Sequence, residues 1–160
     1  MIGAPCQAGG VADLKNRLRA DLATAMKARD ELRTATLRMV LAAVTAEEVS
    51  GKEARELSDE EVLTVLRREA KKRREAADAF ADAGRAEQAG REEAEGGVLA
   101  AYLPAQLDDA DLAALVADVV TRTGASGMKD MGRVMGAVQG AVAGRADGAR
   151  VAAEVRRQLG

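Results

Sequence analysis

Apolar residues recur every three to four positions along most of this 160-residue chain. This spacing places side chains on one face of an α-helix and leaves the polar residues between them on the opposite face. In the first such segment, the predicted core side contains Leu14, Leu18, Leu22, Ala25 and Met26. Lys15 is predicted to lie outside. The complete pattern predicts seven helices separated by short breaks.

Capping and helix-breaking residues set the predicted boundaries. The first two helices are predicted at about residues 13–29 and 31–49, and a loop at 50–57 follows them. Ser58 and Glu61 form a capping-box pattern that starts the third helix, which ends at residues 82–85. A fourth helix runs to Tyr102, before Pro104. Asp108 is predicted to cap a fifth helix that ends at Gly124. A Met-rich sixth helix and a seventh at about residues 147–159 complete the chain.

Composition narrows the fold class. The chain is 48% hydrophobic but contains only two aromatic residues, Phe80 and Tyr102. A core built from Leu, Val, Met and Ala favours thin helical bundles over sheets. We therefore predict an all-α protein, with a helical bundle of about four helices and a small three-helix tail. The predicted parts are a disordered leader at 1–10, the bundle at 11–103 and the tail at 104–160.

Charge and residue content exclude several kinds of chemistry. The formal net charge is −2, so nucleic acid could bind only at local basic patches. The sequence contains no histidine, which excludes Ser-His-Asp and Cys-His nucleophiles and imidazole metal sites. Cys6 is the single cysteine, so no intrachain disulfide can form. We expect a cytoplasmic protein with no cofactor, no metal and no membrane partner.

The segment from Gly124 to Gly148 is the most informative part of the chain. Gly132, Gly136 and Gly140 recur every four residues on one face of the predicted sixth helix, next to Lys129 and Arg133. Its predicted apolar stripe contains Met128, Met131, Val134, Met135 and Val138. Each glycine costs a helix interior about 1 kcal/mol relative to alanine, so the glycine face needs an explanation. Either another helix packs tightly there, or a polyanion backbone approaches it.

The third helix carries a basic run in which two charged residues face the apolar side. Glu69 and Arg73 are four residues apart and lie beside the apolar stripe. An unpaired buried charge would cost several kcal/mol, so we predict that Glu69 and Arg73 form a structural pair. The other basic residues face outward and are typical of a solvated face, although they could also meet phosphates.

Six segments in order resemble the YqeY family. They are LRTATLRMVLAAV, ELSDEEVL, REAKKRREAADAF followed by DAGR, AYLPAQL, GASGMKDMGRVMGAV and GRADG. Members of this family are free-standing relatives of the C-terminal region of the B subunit of glutamine-dependent aspartyl/glutamyl-tRNA amidotransferase. The resemblance covers about residues 11–159 and implies the GatB/YqeY-like arrangement of a larger helical bundle with a three-helix tail.

In the amidotransferase, the resembling region contacts transfer RNA, while other domains and subunits perform the chemistry. The resemblance therefore implies a non-catalytic module that binds tRNA or associates with the amidotransferase machinery. Lys129, Arg133 and Arg145 are the predicted phosphate contacts, and Gly132 and Gly136 would allow close approach. Helix starts near Ser126 and Asp147 would offer free N–H groups.

Two alternatives remain open. The first is a component that supports carbon-nitrogen ligase activity with glutamine as amido-N-donor, although the sequence lacks a recognisable nucleophile and a nucleotide-binding loop. The second is an adaptor for another protein, with the glycine- and methionine-rich helix as its docking surface.

Overall fold

The structure is a computed structural model that describes residues 13–160, and within them all regular secondary structure is helical. The predicted leader and Cys6 lie outside the described residues. The α-helices are α1 (Asp13–Lys27), α2 (Glu31–Glu48), α3 (Asp59–Asp82), α4 (Ala86–Ala100), α5 (Asp109–Thr123), α6 (Met131–Val142) and α7 (Gly148–Leu159). A short 3-10 turn, Met128–Asp130, precedes α6. The all-α prediction is confirmed.

The helix boundaries follow the predicted caps closely. The Ser58 hydroxyl accepts a hydrogen bond from the Glu61 amide, and the Glu61 carboxylate accepts one from the Ser58 amide, which completes the capping box of α3. Asp108 caps α5, and Gly124 ends it in the left-handed conformation with a φ of 64°. The first helix stops two residues earlier than predicted, because Arg29 adopts a left-handed φ of 55°.

The chain forms two compact units, one ending at Leu103 and the other spanning Pro104–Gly160. Within the first unit, α1–α4 surround an aliphatic core. Its fully buried side chains include Leu18, Leu37, Val40, Val44, Val62, Leu66 and Leu99. Within the second unit, α5, α6 and α7 pack on one another around a separate core. That core includes Leu112, Val116, Val134, Val138, Val151 and Val155.

Two side chains of α1 differ from the sequence prediction. Met26 was assigned to the core side but is half exposed. Lys15 was assigned to the outside but is only 4% exposed. Its Nζ atom lies 2.6 and 2.7 Å from the two carboxylate oxygens of Glu48. The Glu48 carboxylate also accepts a hydrogen bond from the Leu57 amide, so the loop after α2 folds back and covers this ion pair.

No helix within residues 13–160 is long and apolar enough to cross a membrane. In the same residues, no cluster of three or more His, Cys, Asp or Glu side chains is arranged to hold a metal ion.

Candidate functional site

The glycine face of α6, which we define as Gly132, Gly136 and Gly140, is exposed. A Cβ atom added to any of these glycines would meet no described atom within 4 Å beyond the adjoining chain and the helix's own backbone. None of the three has a positive φ. Among the described residues, neither helix packing nor backbone conformation therefore accounts for them. The tight helix seam, one of the two explanations considered from the sequence, is not formed within this part of the chain.

The opposite face of α6 fixes the helix in the second unit. Val134, Val138 and Val142 are fully buried, and Met131 and Met135 pack against the same core. Met128 was predicted to extend this stripe, but it is half exposed. It belongs to the 3-10 turn, whose tighter winding puts it out of phase with α6. The glycine face is consequently held outward by a well-buried valine face.

Asp130 organises the start of α6. One of its carboxylate oxygens accepts a hydrogen bond from the Ser126 amide at 3.0 Å, and the other accepts one from Arg133 Nη2 at 3.1 Å. The Ser126 hydrogen bond and the nearby charge of Arg133 hold the pKa of Asp130 below its usual value. Asp130 therefore orients Arg133 and the segment that leads into α6. The Ser126 amide, predicted to be free for a phosphate, is already bound.

Arg133 links two helices while remaining accessible. Its Nη1 atom donates to the Thr123 carbonyl in the last turn of α5 at 3.0 Å, and its Nη2 atom binds Asp130. The Arg133 side chain is nevertheless 57% exposed. Lys129, in the adjacent 3-10 turn, is exposed. The structure therefore places two cations at the N-terminal end of the glycine face.

Arg145 is separated from these cations. Its Nε atom donates to the Val142 carbonyl at 3.2 Å, and its Nη2 atom lies 3.5 Å from the Ala141 carbonyl oxygen. Both carbonyls belong to the last turn of α6, so Arg145 caps the C-terminal end of this helix. A 12-residue helix is about 18 Å long. The structure therefore does not bring Arg145 together with Lys129 and Arg133.

Asp147 also performs a local structural role. Its carboxylate accepts a hydrogen bond from the Ala149 amide and caps α7. That amide is one of the N–H groups predicted from the sequence to be free for a phosphate. Both helix starts proposed as anion sites thus carry a carboxylate that already binds a backbone amide.

Glu69 and Arg73 each have partners other than the predicted one. Glu69 is buried, and its carboxylate binds Lys72 Nζ at 2.7 Å. Arg73 Nη1 lies 3.0 Å from a carboxylate oxygen of Glu92 and 3.3 Å from one of Glu95, both on α4. The prediction that both residues face inward is correct for Glu69 and for the mostly buried Arg73. The contacts differ from the predicted pair, because α4 brings two carboxylates against Arg73.

Sequence reasoning missed Arg150, which holds the start of the second unit. Its Nη2 atom donates to the Leu107 carbonyl at 3.1 Å and to the Asp109 carboxylate at 2.7 Å. These partners are 43 and 41 residues away in the chain. Helical periodicity reports which face a residue occupies but not its distant partners, so no local pattern identified this contact.

Over residues 13–160, the fold and site define an all-helical protein with an open glycine face and two cations at the N-terminal end of that face. The family model described as Yqey-like protein matches residues 15–159, which is nearly the whole chain. The chain belongs to the YqeY-like family. A comparison with curated proteins finds no match.

Proposed function

We propose that this protein is a non-catalytic binding module for transfer RNA, and that the glycine face of α6 is the surface that the RNA backbone approaches. The observation that carries the proposal is the open space above Gly132, Gly136 and Gly140. Family membership supports it, because the resembling region of the amidotransferase contacts tRNA.

The three glycines make α6 less stable than alanines would. A glycine inside a helix costs roughly 0.5–1 kcal/mol relative to alanine, because the unfolded chain loses more conformational freedom. Alanine would fit at all three positions without a contact closer than 4 Å to the rest of the described chain. The folded protein alone therefore gains nothing from these glycines. A ligand that approaches the bare backbone closely would explain them.

The charges next to the glycine face favour an anionic ligand. Lys129 is exposed, and Arg133 presents more than half of its side-chain surface although it binds Asp130 and Thr123. Both lie near the first turn of α6, where the carboxylate of Asp130 offsets one of the two positive charges. Arg145 is at the other end of the helix and binds backbone carbonyls. We therefore reduce the proposed phosphate contacts from three cations to Lys129 and Arg133.

The first test measures binding of total tRNA at several low salt concentrations. Two neutralised phosphates predict a slope of log K against log salt between about −1.4 and −1.8, rather than the −2 to −3 that three contacts would give. Lys129→Ala should reduce the magnitude of the slope by about 0.7–0.9. Lys27→Ala is the matched control, because Lys27 is an exposed lysine at the end of α1.

Each outcome separates the candidate functions. If the parent protein binds no tRNA, the RNA proposal fails. If it binds tRNA but a folded Lys129→Ala/Arg133→Ala variant retains full affinity, the RNA surface lies elsewhere and a protein-docking role for α6 is favoured. Glutamine hydrolysis by the purified protein would instead support the alternative role in carbon-nitrogen ligase activity.

A further inference from the structure

The first unit ends at a well-anchored pair of residues. The Tyr102 amide donates to the Leu99 carbonyl, and the Leu103 amide donates to the Ala100 carbonyl. The Tyr102 side chain is 5% exposed, and Leu103 packs against the core of the first unit. The chain is therefore fixed to this unit as far as Leu103.

The side chain of Tyr102 adds a polar anchor. Its hydroxyl donates to Asp21 Oδ2 on α1 at 2.5 Å, and the Arg17 guanidinium lies 4.9 Å from the ring centroid. Burial raises the pKa of Tyr102, and the hydrogen bond to Asp21 raises it further. The phenol therefore keeps its proton and remains a donor. These contacts hold the last turn of the first unit on α1.

The second unit begins with an equally firm attachment at Leu107. The Leu107 amide donates to the Arg145 carbonyl at 2.7 Å, and the Leu107 carbonyl accepts a hydrogen bond from Arg150. The Leu107 side chain packs against the core of the second unit. Both backbone polar groups of this residue are thus bonded within the second unit.

The three residues between these attachments lack such support. Pro104, Ala105 and Gln106 are exposed; Pro104 has no N–H group, and no backbone hydrogen bond joins the Ala105 or Gln106 amide to the described chain. We infer that residues 104–106 are the joint between the two units. We call the Tyr102–Asp21 and Arg150–Leu107 hydrogen bonds pins, because they fix the chain on either side and so limit the joint to these three residues. This inference does not depend on RNA binding.

The short joint limits how far the two attachments can separate. Four Cα–Cα steps connect Leu103 to Leu107, so an extended joint spans at most about 13–14 Å. Pro104 fixes one φ angle, so most of the torsional freedom belongs to Ala105 and Gln106. Loss of either pin would lengthen the joint and widen the range of positions open to the second unit.

Amide hydrogen exchange tests the joint and its pins. In the parent protein, we expect the Ala105 and Gln106 amides to exchange freely, with protection beginning at Leu103 on one side and Leu107 on the other. Tyr102→Phe keeps the aromatic ring but removes the donor, and should lower protection over residues 102–103 by about tenfold. Arg150→Gln should do the same at Leu107.

Arg157→Gln is the matched control, because Arg157 is also on α7 but bonds to Glu154 of its own helix. It should leave residues 102–107 unchanged. Protection of Ala105 and Gln106 equal to that of the α5 interior would overturn the joint. Folded Tyr102→Phe and Arg150→Gln variants with unchanged protection at 102–103 and 107 would overturn the pins.

Nuclear spin relaxation tests the joint independently, because it measures the rotational correlation time of each unit. The two units of the parent protein should show different rotational correlation times, and Ala105→Pro should bring these times closer by stiffening the joint. The Ala105 amide has no backbone partner, so proline removes no backbone hydrogen bond there. Equal correlation times in the parent protein would contradict the joint.

Discussion

Replacing Arg73 tests the arrangement of charges between α3 and α4. Arg73→Ala would leave the carboxylates of Glu92 and Glu95 without the guanidinium that lies 3.0 and 3.3 Å away. The carboxylate side chains are only 16% and 11% exposed, so water can replace the lost partner only partly. The variant should therefore be clearly destabilised.

The expected magnitude follows from burial. Breaking a buried pair by removing one partner costs about 3–5 kcal/mol, and the partial exposure of Arg73 places the expected loss at about 2–4 kcal/mol. Arg68→Ala is the control, because Arg68 pairs with Glu47 while both side chains are nearly half exposed. Such a surface pair contributes about 0–1 kcal/mol.

Urea melts of the single and double variants would measure these effects. A double-mutant cycle of Arg73 and Glu95 should show a coupling of about 1–3 kcal/mol, because the two residues are in contact. The cycle of Arg73 and Glu69, the pair predicted from the sequence, should show a smaller coupling. Equal losses for Arg73→Ala and Arg68→Ala, or a larger coupling with Glu69, would refute the observed pairing.

Three further perturbations test other contacts. Lys15→Ala should cost about 3 kcal/mol, because it leaves the mostly buried Glu48 carboxylate with only the Leu57 amide as a partner, whereas Lys27→Ala should change stability by less than about 0.5 kcal/mol in the same melts. Hydrogen bonds from Arg157 and Gln158 lower the pKa of Glu154 from 4.5 to about 2. The stability that the ionised Glu154 adds to the second unit is therefore fully present above about pH 4.5 and is lost as the pH falls toward 2. Glu154→Gln should flatten that part of the acid-unfolding curve of the second unit, and an unchanged curve would contradict the assignment. Arg145→Ala should destabilise the second unit by about 0.5–1.5 kcal/mol, because it removes the cap of α6. If Arg145 served only as an exposed contact for phosphate, the same substitution would leave thermal stability unchanged.

Local patterns predicted most of the secondary structure. The capping residues Ser58, Asp108 and Gly124 act through partners within a few residues, so sequence spacing is sufficient to identify them. Arg29 shows where this approach fails. Its left-handed conformation ends α1, although glycine is the residue that normally occupies this conformation.

Contacts between distant segments were not predictable in the same way. Lys15 lies next to the predicted apolar stripe, but only the fold brings Glu48 and the loop after α2 over it. Arg133 and Arg145 were recognised as site residues from the resemblance, while their bonds to the carbonyls of α5 and α6 appear only in the structure.

The most direct test of the RNA proposal is the tRNA affinity of a Gly132→Ala/Gly136→Ala variant at low salt. The two alanines should stabilise the second unit by about 1–2 kcal/mol, yet their Cβ atoms should hinder the approach of the RNA and lower affinity at least tenfold. Gly90→Ala/Gly97→Ala is the matched control, because both glycines lie in α4 with equally open surroundings. It should leave tRNA affinity unchanged. A stabilised α6 variant that binds tRNA as tightly as the parent protein would contradict the proposed role of the glycine face.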